Sequence, residues 1–197
     1  MGCAGDTDET TATYTLADAE QAARVAPATG DWEWPEKPSS FEIDTPDENE
    51  KPPDASNNPP LAELLERTKD LEDLGGATSR WEDEDKLANL GISLLESAAD
   101  AQIGTNAYRV FLSKWGEDFG GVTKNEIVDD LGEEAWVISI VGNGNQVTYE
   151  WRRRNLVVSA HMHCFGVCPP DVDSAARQWA SAIDAELTAG VDQRLSS

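Results

Sequence analysis

The sequence predicts an α+β domain in which a two-layer antiparallel sheet carries helices packed on one face. Three observations support this class. Residues 134–164 alternate apolar and polar side chains as strands do, Asn143-Gly144 is a strong hairpin signal within them, and helical periodicity flanks them on both sides. A sheet with one apolar face must bury it against another layer, and the flanking helices provide that layer.

The first 60 residues are predicted to lie outside the main domain. Residues 1–13 are acidic and rich in Thr and Ala, which predicts a flexible tether. Residues 14–60 are predicted to hold a short helix (16–26), a tryptophan pair and a linker rich in proline and acids. Trp32 and Trp34 share one side of an extended segment, either as a hydrophobic clasp over the domain edge or as an exposed aromatic ligand platform.

Residues 61–190 are predicted to form the α+β domain. An amphipathic helix over 61–74 should end at Gly75-Gly76. Trp81 should then open a strand, and a turn at 83–86 should lead into a second strand at 87–95.

Two longer helices complete the predicted domain. Ser97 and Asp100 form a capping box that predicts a helix to about residue 118. Pro169-Pro170 and Asp171 cap a final alanine-rich helix, after which residues 191–197 are predicted to be a tail.

Strand register is predicted from the turn at Asn143-Gly144. Centring the hairpin there places Trp136 opposite Trp151 on the core face, with Thr148 on the other face. In the following strand, the core face is predicted to take every second residue from Leu156 to Cys164.

The charge balance limits the classes of partner. The 197 residues hold 38 Asp and Glu against 15 Lys and Arg, for a net charge of −23. Phosphate contacts need cations, so the composition argues against a nucleic-acid partner. No stretch of the sequence has the roughly 18 to 20 consecutive apolar residues of a membrane span.

Met1-Gly2-Cys3 gives the most specific signal of attachment. Gly2-Cys3 matches the end of a bacterial lipobox, which predicts a lipid on Cys3 and attachment to the bacterial membrane. Two alternatives remain open: an added start that leaves Cys3 unremarkable, and dual acylation. Dual acylation favours Ser or Thr where this chain has Asp6.

Cys164 and Cys168 are the remaining even pair and are predicted to form a disulfide, as suits an exported protein. His161 and His163 lie beside them and share a strand face, so a metal site is the alternative. The predicted site has no metal and no cofactor.

Two further groups are candidate binding sites. Arg152, Arg153 and Arg154 form a basic run that is either a solvated loop or a docking point for an anionic or protein partner. A possible ligand pocket is predicted between the sheet and the helices. Its predicted lining is Trp115, Trp136, Ile138, Tyr149, Val158, Met162 and Trp179.

The C-terminal half also resembles a known family. Residues 129–135 (Asp-Asp-Leu-Gly-Glu-Glu-Ala), residues 154–158 (Arg-Asn-Leu-Val-Val), Cys164 and the alanine-rich helix at 174–187 carry the likeness. Over about residues 80–190 the chain resembles actinobacterial envelope lipoproteins and the extracellular sensor domains of PknH-type receptor kinases. The resemblance implies a sheet-and-helix domain outside the membrane that binds or senses a ligand.

Together these observations predict a membrane-anchored, extracytoplasmic lipoprotein that is a binding or sensor domain and not an enzyme. Its partner is expected to be a small apolar or amphipathic ligand or an envelope protein. Two alternatives are an acidic protein-interaction or inhibitory module and a secreted hydrolase with unrecognised carboxylates. No phosphate-cradling loop or nucleophile motif is present in the sequence to favour the hydrolase.

Overall fold

The computed structural model describes residues 13–27, 32–46, 53–119, 121–142, 144–165 and 171–195. These residues form one antiparallel sheet of seven strands and four helices, which confirms the predicted α+β class. The predicted tether lies almost wholly outside the described residues. The helices are α1 (Leu16–Ala22), α2 (Pro59–Thr68), α3 (Ala98–Phe119) and α4 (Val172–Leu195). The strands are β1 (Ser40–Asp44), β2 (Asp73–Asp83), β3 (Lys86–Leu95), β4 (Val122–Val128), β5 (Glu134–Gly142), β6 (Gly144–Arg153) and β7 (Leu156–Cys164).

The strand order is β1-β2-β3-β7-β6-β5-β4, with every neighbouring pair antiparallel. The β2–β3 hairpin turns where the sequence predicts it, between Asp83 and Lys86. Helix α3 then carries the chain from the middle of the sheet to its far edge at β4. The meander from β4 to β7 then returns to β3, which makes β7 the central strand of the sheet.

Helices cover both faces of the sheet, and the prediction of a single covered face is wrong. Helices α1 and α4 pack on the face that carries Trp151, Tyr149 and Val158. Helix α3 packs on the opposite face, over Trp136 and Ile138, and α2 packs against α3. The domain therefore has three layers, with a buried core on each side of the sheet.

The predicted hairpin register is wrong by one residue. Trp151 pairs with Ala135, and Trp136 pairs with Glu150, so the two tryptophans lie on opposite faces. Gly142 pairs directly with Gly144, while Asn143 lies outside the described residues. A one-residue shift moves every side chain of one strand to the other face.

Gly144 accounts for this difference between prediction and structure. It has a φ of 110° and begins β6 instead of forming the second position of the turn. A Cβ at this position would lie 1.9 Å from the Cys164 carbonyl oxygen. Glycine is therefore required by the close approach of β7 as well as by the backbone conformation.

The N-terminal segment belongs to the domain, although the sequence predicts it to lie outside. Asn155, in the turn between β6 and β7, accepts a hydrogen bond from the Tyr14 backbone N–H at 2.9 Å. Its side-chain amide donates to the carbonyls of Tyr14 (3.3 Å) and Leu95 (3.2 Å). Trp32 is buried and stacks on Trp34 at 5.9 Å between ring centroids, which supports the clasp and not the exposed platform.

Three predicted boundaries also change. Helix α2 ends at Thr68, and Gly75-Gly76 lie in β2, beside a bulge in its pairing with β3. Strand β1 lies inside the predicted linker region. Helix α4 extends to Leu195 and buries Val191 in the core, so residues 191–195 are not a tail.

Candidate functional site

A groove of about 570 Å³ lies between α3 and the sheet, on the face away from α4. Helix α3 forms its apolar wall, and strands β3, β6 and β7 supply its largely polar floor. The wall is lined by Tyr108, Phe111, Leu112 and Trp115. The floor includes Asn89, Gly91, Gln146, Thr148, Ser159 and His161.

The aromatic wall follows from the helical spacing of α3. Tyr108, Phe111 and Trp115 are three or four residues apart, so their side chains fall on one side of the helix. The rings of Tyr108 and Phe111 pack at 5.6 Å between centroids. All three side chains are only half-buried, so part of each ring is available at the groove surface.

The polar floor is held by a side-chain pair. Thr148 on β6 faces His161 on β7, with 2.9 Å between the threonine hydroxyl and imidazole Nδ1. Burial, with a smaller contribution from the charge of His163, lowers the pKa of His161 to about 4. His161 is therefore neutral at physiological pH and can offer its imidazole as a hydrogen-bonding group.

Glu150, on β6, has a buried carboxyl group on the side of the sheet that α3 covers. It is 1% exposed, and neither of its carboxyl oxygens has a hydrogen-bond partner among the described residues. Its cross-strand neighbours are Trp136 and Ser159. Burial raises the pKa of Glu150 well above its ordinary value and so favours the protonated, neutral form of the side chain.

A second cavity of about 370 Å³ adjoins the groove beneath α2 and α3. It has a more aliphatic lining, to which α2, β3 and β7 contribute. Gly91, Tyr108 and Ser159 line both spaces and so mark the boundary between them. The hydroxyl groups of Tyr108 and Ser159 are hydrogen-bonded, and burial raises the pKa of Tyr108 to about 12.

The structure does not bring the seven predicted pocket residues together. Trp115 lines the groove, and Trp136 and Ile138 lie buried on the same face of the sheet. The other four are in the opposite core, under α1 and α4. They are Tyr149, Val158, Met162 and Trp179.

Two polar groups of the opposite core have hydrogen-bond partners within the protein. Tyr149 donates a hydrogen bond to the Asp173 carboxylate at 2.8 Å. The same carboxylate forms an ion pair with Lys124 at 2.7 Å. Trp179 donates from its indole nitrogen to the Val25 carbonyl at 2.9 Å. These side chains support the packing of α4 and α1 and do not line the groove.

The arginine run is engaged with acidic groups of the same domain. Arg152 pairs with Glu133 at 2.5 Å, and Arg153 makes two hydrogen bonds to Asp184 at 2.7 and 2.6 Å. The Arg154 backbone N–H donates to Glu133 at 3.1 Å. Arg152 and Arg153 thus lie at the end of β6, not in a solvated loop, and are neutralised by nearby acids; docking by this run stays a prediction.

The cysteine predictions fall largely on residues outside the described ranges. Cys164 is buried at the end of β7, whereas Cys3 and Cys168 lie outside the described residues. The disulfide and the lipid therefore stay predictions. In the part of the chain that the structure describes, no group of three or more His, Cys, Asp or Glu side chains could hold a metal ion.

Most of the residues that line the groove were not predicted from the sequence. Tyr108, Phe111, Thr148 and His161 line it, but the two polar residues were assigned to an uncovered sheet face. The available signal was β5: residues 135–138 are Ala-Trp-Val-Ile, an unbroken apolar run typical of a strand buried on both faces. That run indicates a second helical layer over the face that carries Thr148 and His161.

Comparisons with known proteins give a loose structural likeness. No family model matches the chain, and no curated protein matches it. A solved structure, the extracellular domain of PknH from Mycobacterium tuberculosis, aligns with a TM-score of 0.41 and 10% identity. The alignment covers 80% of this chain and 84% of that one. That domain is one of the PknH-type extracellular sensor domains that the sequence pattern resembles.

Proposed function

We propose that this chain is an extracytoplasmic, non-enzymatic binding domain that takes a small amphipathic ligand in the groove between α3 and the sheet. The supporting observation is the pairing of a partly buried aromatic wall with a hydrogen-bonding floor in a space of about 570 Å³. Ligand pockets typically measure roughly 300–1,000 Å³ and combine apolar walls with a few placed polar groups.

The pKa of His161 favours a binding role for the groove over a catalytic one. A general base is most effective when its pKa lies near the working pH. The pKa of His161, at about 4, is far below neutrality, and its Nδ1 is held by Thr148. Its proposed role is to hydrogen-bond a ligand as a neutral imidazole.

The binding proposal is tested with Phe111→Ala in a calorimetric titration against neutral amphiphiles and envelope glycans. Losing the contact of one aromatic side chain should weaken binding about tenfold or more, since its burial contributes roughly 1.5–3 kcal/mol. Ile103→Ala is the matched control, because Ile103 lies on the same helix and is 47% exposed outside the groove. Equal losses in both variants, or no binding to any member of the panel, would contradict the proposal.

The proposed attachment is a lipid on Cys3, motivated by the Gly2-Cys3 pair and the acidic spacer after it. Within the described residues, no helix has both the length and the apolar character needed to cross a bilayer. Intact mass spectrometry of protein extracted from membranes of its native host should show added acyl mass on Cys3. An unmodified Cys3 in that fraction would refute the attachment and leave the groove proposal standing.

A further inference from the structure

We propose that the groove and the adjoining cavity hold one ligand, a single-chain amphiphile with an uncharged, hydroxyl-bearing head. The chain occupies the smaller cavity under α2 and α3, the head lies on the polar floor of the groove, and the ligand passes over Gly91. This inference rests on the proposed function and names its ligand class.

The smaller cavity has the lining expected for an alkyl chain. Five aliphatic side chains from four elements or connections surround it, and Gly104 brings the α3 backbone close to them. They are Leu64, Leu65, Leu71, Leu95 and Val157. Asp73 also lines the cavity, and burial raises the pKa of its carboxyl group. In this largely aliphatic space of about 370 Å³, a polar ligand group would lack hydrogen-bond partners along most of the wall, and its burial would cost free energy.

Gly91 marks the passage between the two spaces. It lines both of them, and a Cβ placed on it would meet no heavy atom within 4 Å. By contrast, a Cβ on Gly76, in the neighbouring strand, would lie 2.3 Å from the Ile92 carbonyl oxygen. The glycine at 91 is therefore not required by backbone packing, and it leaves open space over the sheet. Ser159, its cross-strand partner, and Tyr108 complete the passage.

The groove selects an uncharged head. Its floor offers hydroxyl, amide and neutral imidazole groups from Thr148, Gln146 and His161. Among the described lining residues Arg80 alone has a formal charge, and it is paired with Glu82 at 3.1 Å. The net charge of −23 opposes an anionic head. Hydroxyl groups both donate and accept hydrogen bonds, which suits this mixed set of partners.

The chain-length dependence of binding tests the chain site. Hexyl, octyl and decyl β-glucosides are titrated calorimetrically into the full-length protein below their critical micelle concentrations. Each added methylene should tighten binding about fourfold, the equivalent of ~0.8 kcal/mol per buried CH₂, until the cavity is filled. Decyl sulfate and decyl trimethylammonium should bind more weakly than decyl glucoside.

Gly91→Val tests the passage. The side chain added by Gly91→Val should abolish the gain in affinity from octyl and decyl chains while hexyl glucoside still binds. Gly91→Ala should reduce that gain in affinity by less. Thermal unfolding of both variants should match the parent, because the position has open space around it. Equal affinity for all three glucosides, or an unchanged chain-length series in Gly91→Val, would overturn this inference.

The outcomes separate the inference from the proposed function. Binding of glycans or glucosides without chain-length dependence, still weakened by Phe111→Ala, refutes the chain site and keeps the groove as a binding site. Tighter binding of either charged decyl compound refutes the uncharged head. No binding by any compound in either panel refutes both proposals.

Discussion

Replacing Trp151 with alanine is expected to lower the free energy of unfolding by about 3–5 kcal/mol, as deletion of a buried tryptophan typically does. Trp151 is fully buried in the core beneath α1 and α4. Its removal takes away a large apolar surface and leaves a cavity that neighbouring strands cannot close. Chemical denaturation measures the loss directly, and Ile127→Ala, on an exposed position of β4, should change stability by no more than about 0.5 kcal/mol.

A double-mutant cycle with Trp136→Ala tests the strand register. Trp136 is also buried, so its own loss should be similar in size. The two side chains belong to different core clusters on opposite faces of the sheet. Their losses should therefore be nearly additive, within about 0.5 kcal/mol. An interaction energy well above ~1 kcal/mol would indicate that the two tryptophans share a face, as the sequence alone predicts.

Replacing Glu150 with methionine is expected to stabilise the protein at neutral pH by about 1–3 kcal/mol, the cost of leaving a buried polar group without a partner. The carboxyl group of Glu150 is buried and has no hydrogen-bond partner among the described residues. Methionine is a similar-sized, unbranched side chain that removes the polar atoms and keeps the volume filled.

The pH dependence of unfolding separates the charge of Glu150 from its polarity. Below the ordinary pKa of a glutamate, Glu150 is protonated in both states. Above that pH only the unfolded chain ionises, because burial raises the folded-state pKa, so this group makes stability fall as pH rises until the folded pKa is passed. Glu150→Gln should remove this fall and gain less stability than Glu150→Met. A parent protein with the same pH profile as both variants would contradict the buried, neutral acid.

Three predictions that depended on local pattern are confirmed. Ser97 accepts a hydrogen bond from the Asp100 backbone N–H at 3.1 Å, as the capping box requires, and α3 begins at the next residue after Ser97. The β2–β3 turn falls at the predicted acidic tetrapeptide. The core face of β7 also holds Leu156, Val158 and Met162, as predicted. In that strand the alternation is strict, so a single strand contains enough information to assign its faces.

The groove could not be predicted in the same way because it is formed by elements far apart in sequence. Tyr108 and Trp115 come from α3, whereas Gly91 and His161 come from two neighbouring strands. Helical spacing predicts that the aromatic residues of α3 share a side. It does not specify which face of the sheet that side covers, and this decides whether His161 faces solvent or a ligand groove.

The sequence by itself determined where α3 and α4 begin, where the β2–β3 turn lies and which residues of β7 share a face. Only the tertiary structure decided the register of β5 and β6 and the placement of helices on both faces. The physical reason is that alternation specifies register when one face is apolar and the other is polar. Strand β5 buries Trp136 on one side and Val137 on the other, so a shift of one residue exchanges one apolar face for another. The choice depended on distant contacts: β7 against Gly144, and the packing of α3 over Trp136.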